Sequence, residues 1–91
     1  MTDSMPIDRA SAERAILELL AARGAGKTIC PSEAARRLGG DDGFRPLMAL
    51  VREAAAALAA AGDIEVTRGG RPVDVGEVRG PIRLRAANPR G

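Results

Sequence analysis

Apolar residues recur at helical spacing in three successive stretches of the chain and then switch to strict alternation. From about Asp8 to Arg23, Ala12, Ile16, Leu19 and Leu20 fall on one face. That spacing predicts an amphipathic helix with Asp8 or Ser11 as N-cap, Gly24 as its stop and an Arg14–Glu18 pair outside. Ala25 to Ile29 reads as a short extended connector. Pro31, well suited to a first helical position, then opens a short second helix to Leu38, ended by Gly39 and Gly40. A Gly-Gly-Asp-Asp loop leads into the longest helical pattern, about Gly43 to Ala61, with Asp42 as cap. At 100° per residue, Phe44, Leu47, Leu50, Val51, Ala54, Leu58 and Ala61 gather within about 60° of one direction, which is a core face. Arg45 and Arg52 stand opposite, among Ala49, Ala56 and Ala59, with Ala55 and Ala60 flanking. Pro46 belongs in the first turn, where a missing amide costs least.

From Asp63 the period becomes 2. Ile64 and Val66 alternate with Glu65 and Thr67, and Ile82 and Leu84 alternate with Arg83 and Arg85, as in two half-buried strands. Arg68-Gly69-Gly70-Arg71 is a turn, since paired glycines accept positive φ. Two registers are open: a tight hairpin that pairs Ile64 and Val66 with Val75 and Val73, or a longer wing that returns at Ile82 to Arg85. The longer wing is preferred, because Pro72 cannot donate to a ladder and Gly76 to Gly80 reads as loop. Together the elements predict an α+β, mainly α, winged helix-turn-helix: three helices plus a small antiparallel wing. A single domain spans residues 8–86, with 1–7 and 87–91 as flexible termini.

Composition narrows the chemistry. The chain has 91 residues, 45% of them apolar, but 18 of these are Ala and Phe44 is the only aromatic, so the core is thin. There is no His and only one Cys, Cys30. Their scarcity removes His-based acid/base catalysis, Ser-His and Cys-His nucleophile pairs, and most zinc sites. A non-enzymatic domain without cofactor or metal is the expectation. No apolar run is long enough for a membrane span, Met1 to Ala10 carries no export signal, and a lone thiol fits a cytoplasmic location.

Three segments carry a resemblance: GKTICPSEAARRLGG (26–40), FRPLMALVREAAAALAAAGDIEVT (44–67) and GPIRLRA (80–86). Taken together, they resemble a small bacterial winged-helix family of uncharacterised function, over about Ala15 to Ala86. Phe44 stands where Trp is expected, and it keeps the apolar role. The resemblance implies a fold and no established activity.

The net charge of +2 hides an uneven distribution: residues 1–40 carry +1, residues 41–65 carry −3 and residues 66–91 carry +4. The positive end is the wing and tail. Arg68, Arg71, Arg83 and Arg85 there, joined by Arg79 and Arg90, are placed to meet phosphates, as are Arg45 and Arg52 on the third helix. The structural alternative pairs Arg83 with Glu65 across the sheet, Arg71 or Arg79 with Asp74 or Glu77, Arg45 with Asp41 or Asp42, and Arg52 with another element. The third helix is a poor reader of bases. Its outer face is mostly Ala, Gln is absent and Asn88 is the only Asn.

Other motifs carry less. Cys30 precedes a helix start but has no resolving partner, and reads as a small apolar residue with Ser32 and Glu33 serving the first amides. Gly24 to Thr28 lacks the first glycine and the preceding strand of a phosphate loop. The outer alanines serve either helix propensity or close approach to a homodimer or protein partner. The sequence therefore predicts a binding module that contacts DNA largely through phosphate with low sequence specificity. The alternative is a protein-interaction or structural winged-helix domain.

Overall fold

In the computed structural model, residues 7–78 and 80–87 are described. The expectations placed on residues 1–6, Arg79, Asn88 and Arg90 lie outside them. Helix α1 runs Arg9–Arg23, strand β1 Thr28–Ile29, helix α2 Pro31–Gly43 and helix α3 Met48–Ala60. A single 3-10 turn, Arg45–Leu47, precedes α3. Strands β2 (Ile64–Arg68), β3 (Arg71–Pro72) and β4 (Arg83–Ala86) complete an antiparallel sheet of order β1-β4-β2-β3. The result is an α+β fold, mainly helical, consistent with a winged-helix arrangement.

Both proposed caps of α1 act together. The Ser11 amide donates to the Asp8 carboxylate at 2.9 Å while the Asp8 amide donates to Ser11 Oγ at 2.9 Å, a reciprocal capping box. Gly24 closes the helix at φ 105°. Glu18 turns away from Arg14 to meet Arg37 of α2 at 2.8 Å, and the i,i+4 pair of this helix is Arg9–Glu13 at 3.3 Å.

The second and third helices differ from expectation at their junction. Regular helix in α2 breaks at Gly40, whose φ of 76° and ψ of 177° suit glycine alone, and a further turn follows to Gly43. α3 begins at Met48, later than the expected Gly43, and Asp42 does not cap it. Pro46 lacks an amide, so the chain tightens into the 3-10 turn, with Leu47 N–H donating to Phe44 O at 2.9 Å.

The core joins Ala12, Ala15, Ile16 and Leu20 of α1 to Val51, Ala54, Ala55 and Leu58 of α3, and Ile29, Ile64, Val66, Ile82 and Leu84 of the sheet region. Small side chains at the α1–α3 contact let the helices approach closely, which compensates for a core with one aromatic ring. Ala55 is fully buried, not flanking the outer face, and Ala61 is exposed.

The wing resolves the register question by using parts of both alternatives. Ile64 faces Ala86, Glu65 faces Arg85, Val66 faces Leu84 and Thr67 faces Arg83, so the long return is the main ladder. A tight hairpin is built onto its other edge, where Thr67 faces Pro72, Arg68 faces Arg71 and Val73 N–H donates to Val66 O at 2.8 Å. Pro72 is tolerated there because β3 is an edge strand. Thr67, between Pro72 and Arg83, is buried despite its polar character. Among the described residues no helix is long and apolar enough to cross a membrane.

Candidate nucleic-acid interface

The six arginines singled out by the sequence divide into three groups. Arg68 and Arg71 are direct cross-strand partners at the hairpin tip, both exposed. Between them Gly69 and Gly70 have φ of 60° and 82°, the pair of positive values that a tight two-residue turn with matching strand twist requires. The turn therefore holds two cationic side chains side by side at the sheet's extremity. Arg68 also reaches toward the returning loop: its terminal nitrogen lies 3.9 Å from where a Cβ on Gly80 would stand.

Arg52 and Arg85 have structural partners. Arg52 donates to Val78 O at 3.0 Å and to Gly80 O at 3.3 Å, tying the middle of α3 to the wing loop. Arg85 forms the cross-strand ion pair with Glu65, with Nε at 3.1 Å from Oε1. This corrects the expected Arg83–Glu65 pair by two residues, since Glu65 lies opposite Arg85. Arg83 instead donates to Thr28 Oγ1 at 3.0 Å and to Thr28 O at 3.4 Å, although its side chain stays exposed.

Around Thr28 a polar cluster locks β1 between two helices. Arg23, at the end of α1, donates to Thr28 O at 2.9 Å and pairs with Glu33 of α2. The other Glu33 oxygen accepts the Cys30 amide at 2.9 Å. Partial burial pushes the Glu33 carboxyl up, but the Cys30 amide, Arg23 and Arg83 outweigh it and hold the group below the usual glutamate range. Cys30 is half-buried and accepts a hydrogen bond from Ser32 Oγ at 3.2 Å. Glu33 serves the start of α2, as the structural reading of the sequence expected, whereas the Ser32 hydroxyl turns to the Cys30 sulfur instead of an amide.

Arg45 does not pair with Asp41 or Asp42. It sits over the Phe44 ring, 5.3 Å from the centroid, while Arg36 of α2 lies 4.2 Å from the same centroid. Arg36 escaped the sequence reading, because only the reversal of the chain at Gly40 brings α2 back over Phe44. Asp41 approaches Arg36 at 3.6 Å.

The outer face of α3 is partly occupied by the protein's own wing. Ala56, Ala59 and Ala60 border an open cleft of about 450 Å³ whose other wall is Pro72 to Val75. Val73, Val75 and Val78 are half-buried against the core. Asp74 orders this loop, accepting from the Gly76 amide at 2.9 Å through its carboxylate and from the Glu77 and Val78 amides through its carbonyl. Its expected pairing with Arg71 gives way to this local role. The outer face of α3 is thus approached by residues 72–75, with Ala56, Ala59 and Ala60 across the cleft. A larger cleft of about 730 Å³ lies elsewhere, between Leu17 and Ala21 of α1 and the Glu65–Arg85 pair, away from the hairpin tip. Among the described residues no group of three His, Cys, Asp or Glu side chains is placed to hold a metal ion.

No curated protein matches the chain. The model of one family, described as a protein of unknown function (DUF3253), matches residues 9–87, which takes in every helix and strand described above. With nearly its whole length matched, the chain belongs to that uncharacterised family.

Proposed function

We propose that this domain binds nucleic acid, DNA in the first place, without catalysis, through the phosphate backbone and with little reading of base sequence. The observation that carries the proposal is the hairpin tip, where Arg68 and Arg71 are paired across two glycines and stand exposed on the most positive third of the chain. Guanidinium groups suit phosphate because their forked donors match its oxygens. The exposed Arg45 extends the cationic surface, as does Arg83 while bonded to Thr28, whereas the half-buried Arg52 and Arg85 serve the fold. Low sequence specificity follows from α3: its outer side chains are mostly Ala, and residues 72–75 face them across a cleft.

The competing reading, a homodimer or protein-interaction domain built on the alanine face, draws on Ala49, Ala56 and Ala60, which stay exposed, the last two beside an open cleft. A labelled random duplex titrated with the protein tests the proposal. Binding is expected at low salt and should weaken steeply between about 50 and 200 mM. No binding at low salt, with self-association at the same concentration, would favour the interaction domain.

A further inference from the structure

We infer that Arg36 and Arg45, held on the Phe44 ring, form a phosphate-binding site at the turn between α2 and α3. The inference rests on the nucleic-acid reading for the source of the phosphate, and on its own geometry for the site. Both guanidiniums lie over one ring, at 4.2 and 5.3 Å from its centroid, and Phe44 itself is anchored in the core with only 9% of its surface exposed. The electron-rich ring attracts each cation and so holds two like charges on one side chain. Two guanidiniums held to one ring offer an anion two cationic partners at the ring's edge. A guanidinium stacked on a ring keeps its in-plane N–H donors available at the ring's edge, and its restricted motion lowers the entropy lost on binding.

The chain is built to bring these groups together. A Cβ on Gly39 would stand 2.7 Å from Leu47 Cδ1, so the absence of a side chain there lets the 3-10 turn press against α2. Gly40 then reverses the backbone, and Arg45 follows Phe44 directly into that turn. Hydrogen bonding to carboxylates separates this pair from several other arginines of the domain. Arg23, Arg37 and Arg85 donate hydrogen bonds to Glu33, Glu18 and Glu65. Among the described residues neither Arg36 nor Arg45 donates one to a carboxylate. Arg36 forms an ion pair with Asp41, with Nε 3.6 Å from the carboxylate, beyond hydrogen-bond length, and the Asp41 side chain 91% exposed. A phosphate displaces so loosely held a partner readily.

Inorganic phosphate and a random duplex, used as separate probes on the full chain, test the site and its source. In a phosphate titration followed by the arginine Nε–H resonances, Arg36 and Arg45 should move together with one midpoint. Arg36→Gln should weaken the midpoint read at Arg45 by about tenfold, the factor for one lost charge-assisted contact. Arg36 is an exposed side chain, so the variant should fold, which circular dichroism checks. With the duplex, the salt slope of Arg36→Gln/Arg45→Gln should fall by about 2 relative to the wild type. Phosphate binding at the pair with an unchanged duplex slope would keep the site and assign it to a free phosphate or a small phosphorylated ligand. An Arg45 midpoint that Arg36→Gln leaves unchanged, or no phosphate-dependent shift at either residue, would overturn the site, whatever the hairpin tip does with the duplex.

Discussion

The Arg52 guanidinium bonds the Val78 and Gly80 carbonyls at 3.0 and 3.3 Å, linking α3 to a loop 26 to 28 residues further along the chain. These contacts satisfy two loop carbonyls and hold three half-buried valines over the core. Arg52→Ala should cost about 1 to 2 kcal/mol in urea unfolding, as expected for hydrogen bonds from a charged, partly exposed donor. Amide exchange should accelerate in residues 73–78 and stay slow in the middle of α3. The duplex salt slope should not change, because this guanidinium is already used.

A second prediction concerns the break in α2. Gly40 occupies a region of φ and ψ that side chains rarely enter, so Gly40→Ala should destabilise the domain by about 1 to 3 kcal/mol. Gly43→Ala is the control. No atom lies within 4 Å of its added Cβ and its φ is not in the left-handed region, so its effect should stay within about 0.5 kcal/mol. Equal losses in denaturant midpoints would contradict the account of the turn.

Much of the architecture was legible because local signals agreed: Asp8, Ser11 and Gly24 bound α1, Pro31 opens α2, and the change of period at Asp63 marks the sheet. The site was less legible, for three physical reasons. Alternation fixes which face of a strand is buried, but a slip of two residues preserves every face, so periodicity could not tell Glu65 opposite Arg83 from Glu65 opposite Arg85. β1 has two residues, too few to show a period. Arg52 and Arg36 have partners chosen by chain reversal at Gly40 and by the path of loop 73–80, which no local pattern encodes. Position on a helix face predicted that Arg52 would be outside, but not that a carbonyl would be waiting there.

The Glu33 carboxyl gives a pH dependence with a definite sign. Its folded pKa is held below the ordinary glutamate value of about 4.3, so below that value the unfolded chain binds the proton more tightly than the native one. The stabilisation is fully present above about pH 4.3 and is lost as pH falls through the folded pKa. Urea midpoints of the wild type and Glu33→Gln should therefore differ most near neutrality and converge in acid. A gap that widens on acidification would contradict the Cys30–Glu33–Arg23 arrangement.

The Glu65–Arg85 pair predicts a specific pattern in a charge swap. Glu65→Arg or Arg85→Glu alone places like charges on direct cross-strand partners and should cost about 0.5 to 1 kcal/mol, and the double swap should recover most of the loss. Additive losses in thermal or urea unfolding would mean that these residues do not face each other in solution.

The central claim is that the exposed hairpin arginines contact phosphate while Arg52 and Arg85 hold the fold. Salt dependence of random-duplex binding, compared between Arg68→Ala/Arg71→Ala and Arg52→Ala/Arg85→Ala, tests it most directly. Removal of the hairpin pair should lower the slope of log affinity against log salt by about 2, and removal of Arg52 and Arg85 should lower stability but leave the slope of the folded protein at its wild-type value. The same slope in the hairpin variant as in the wild type, or a loss of slope confined to the Arg52 and Arg85 variant, would contradict it.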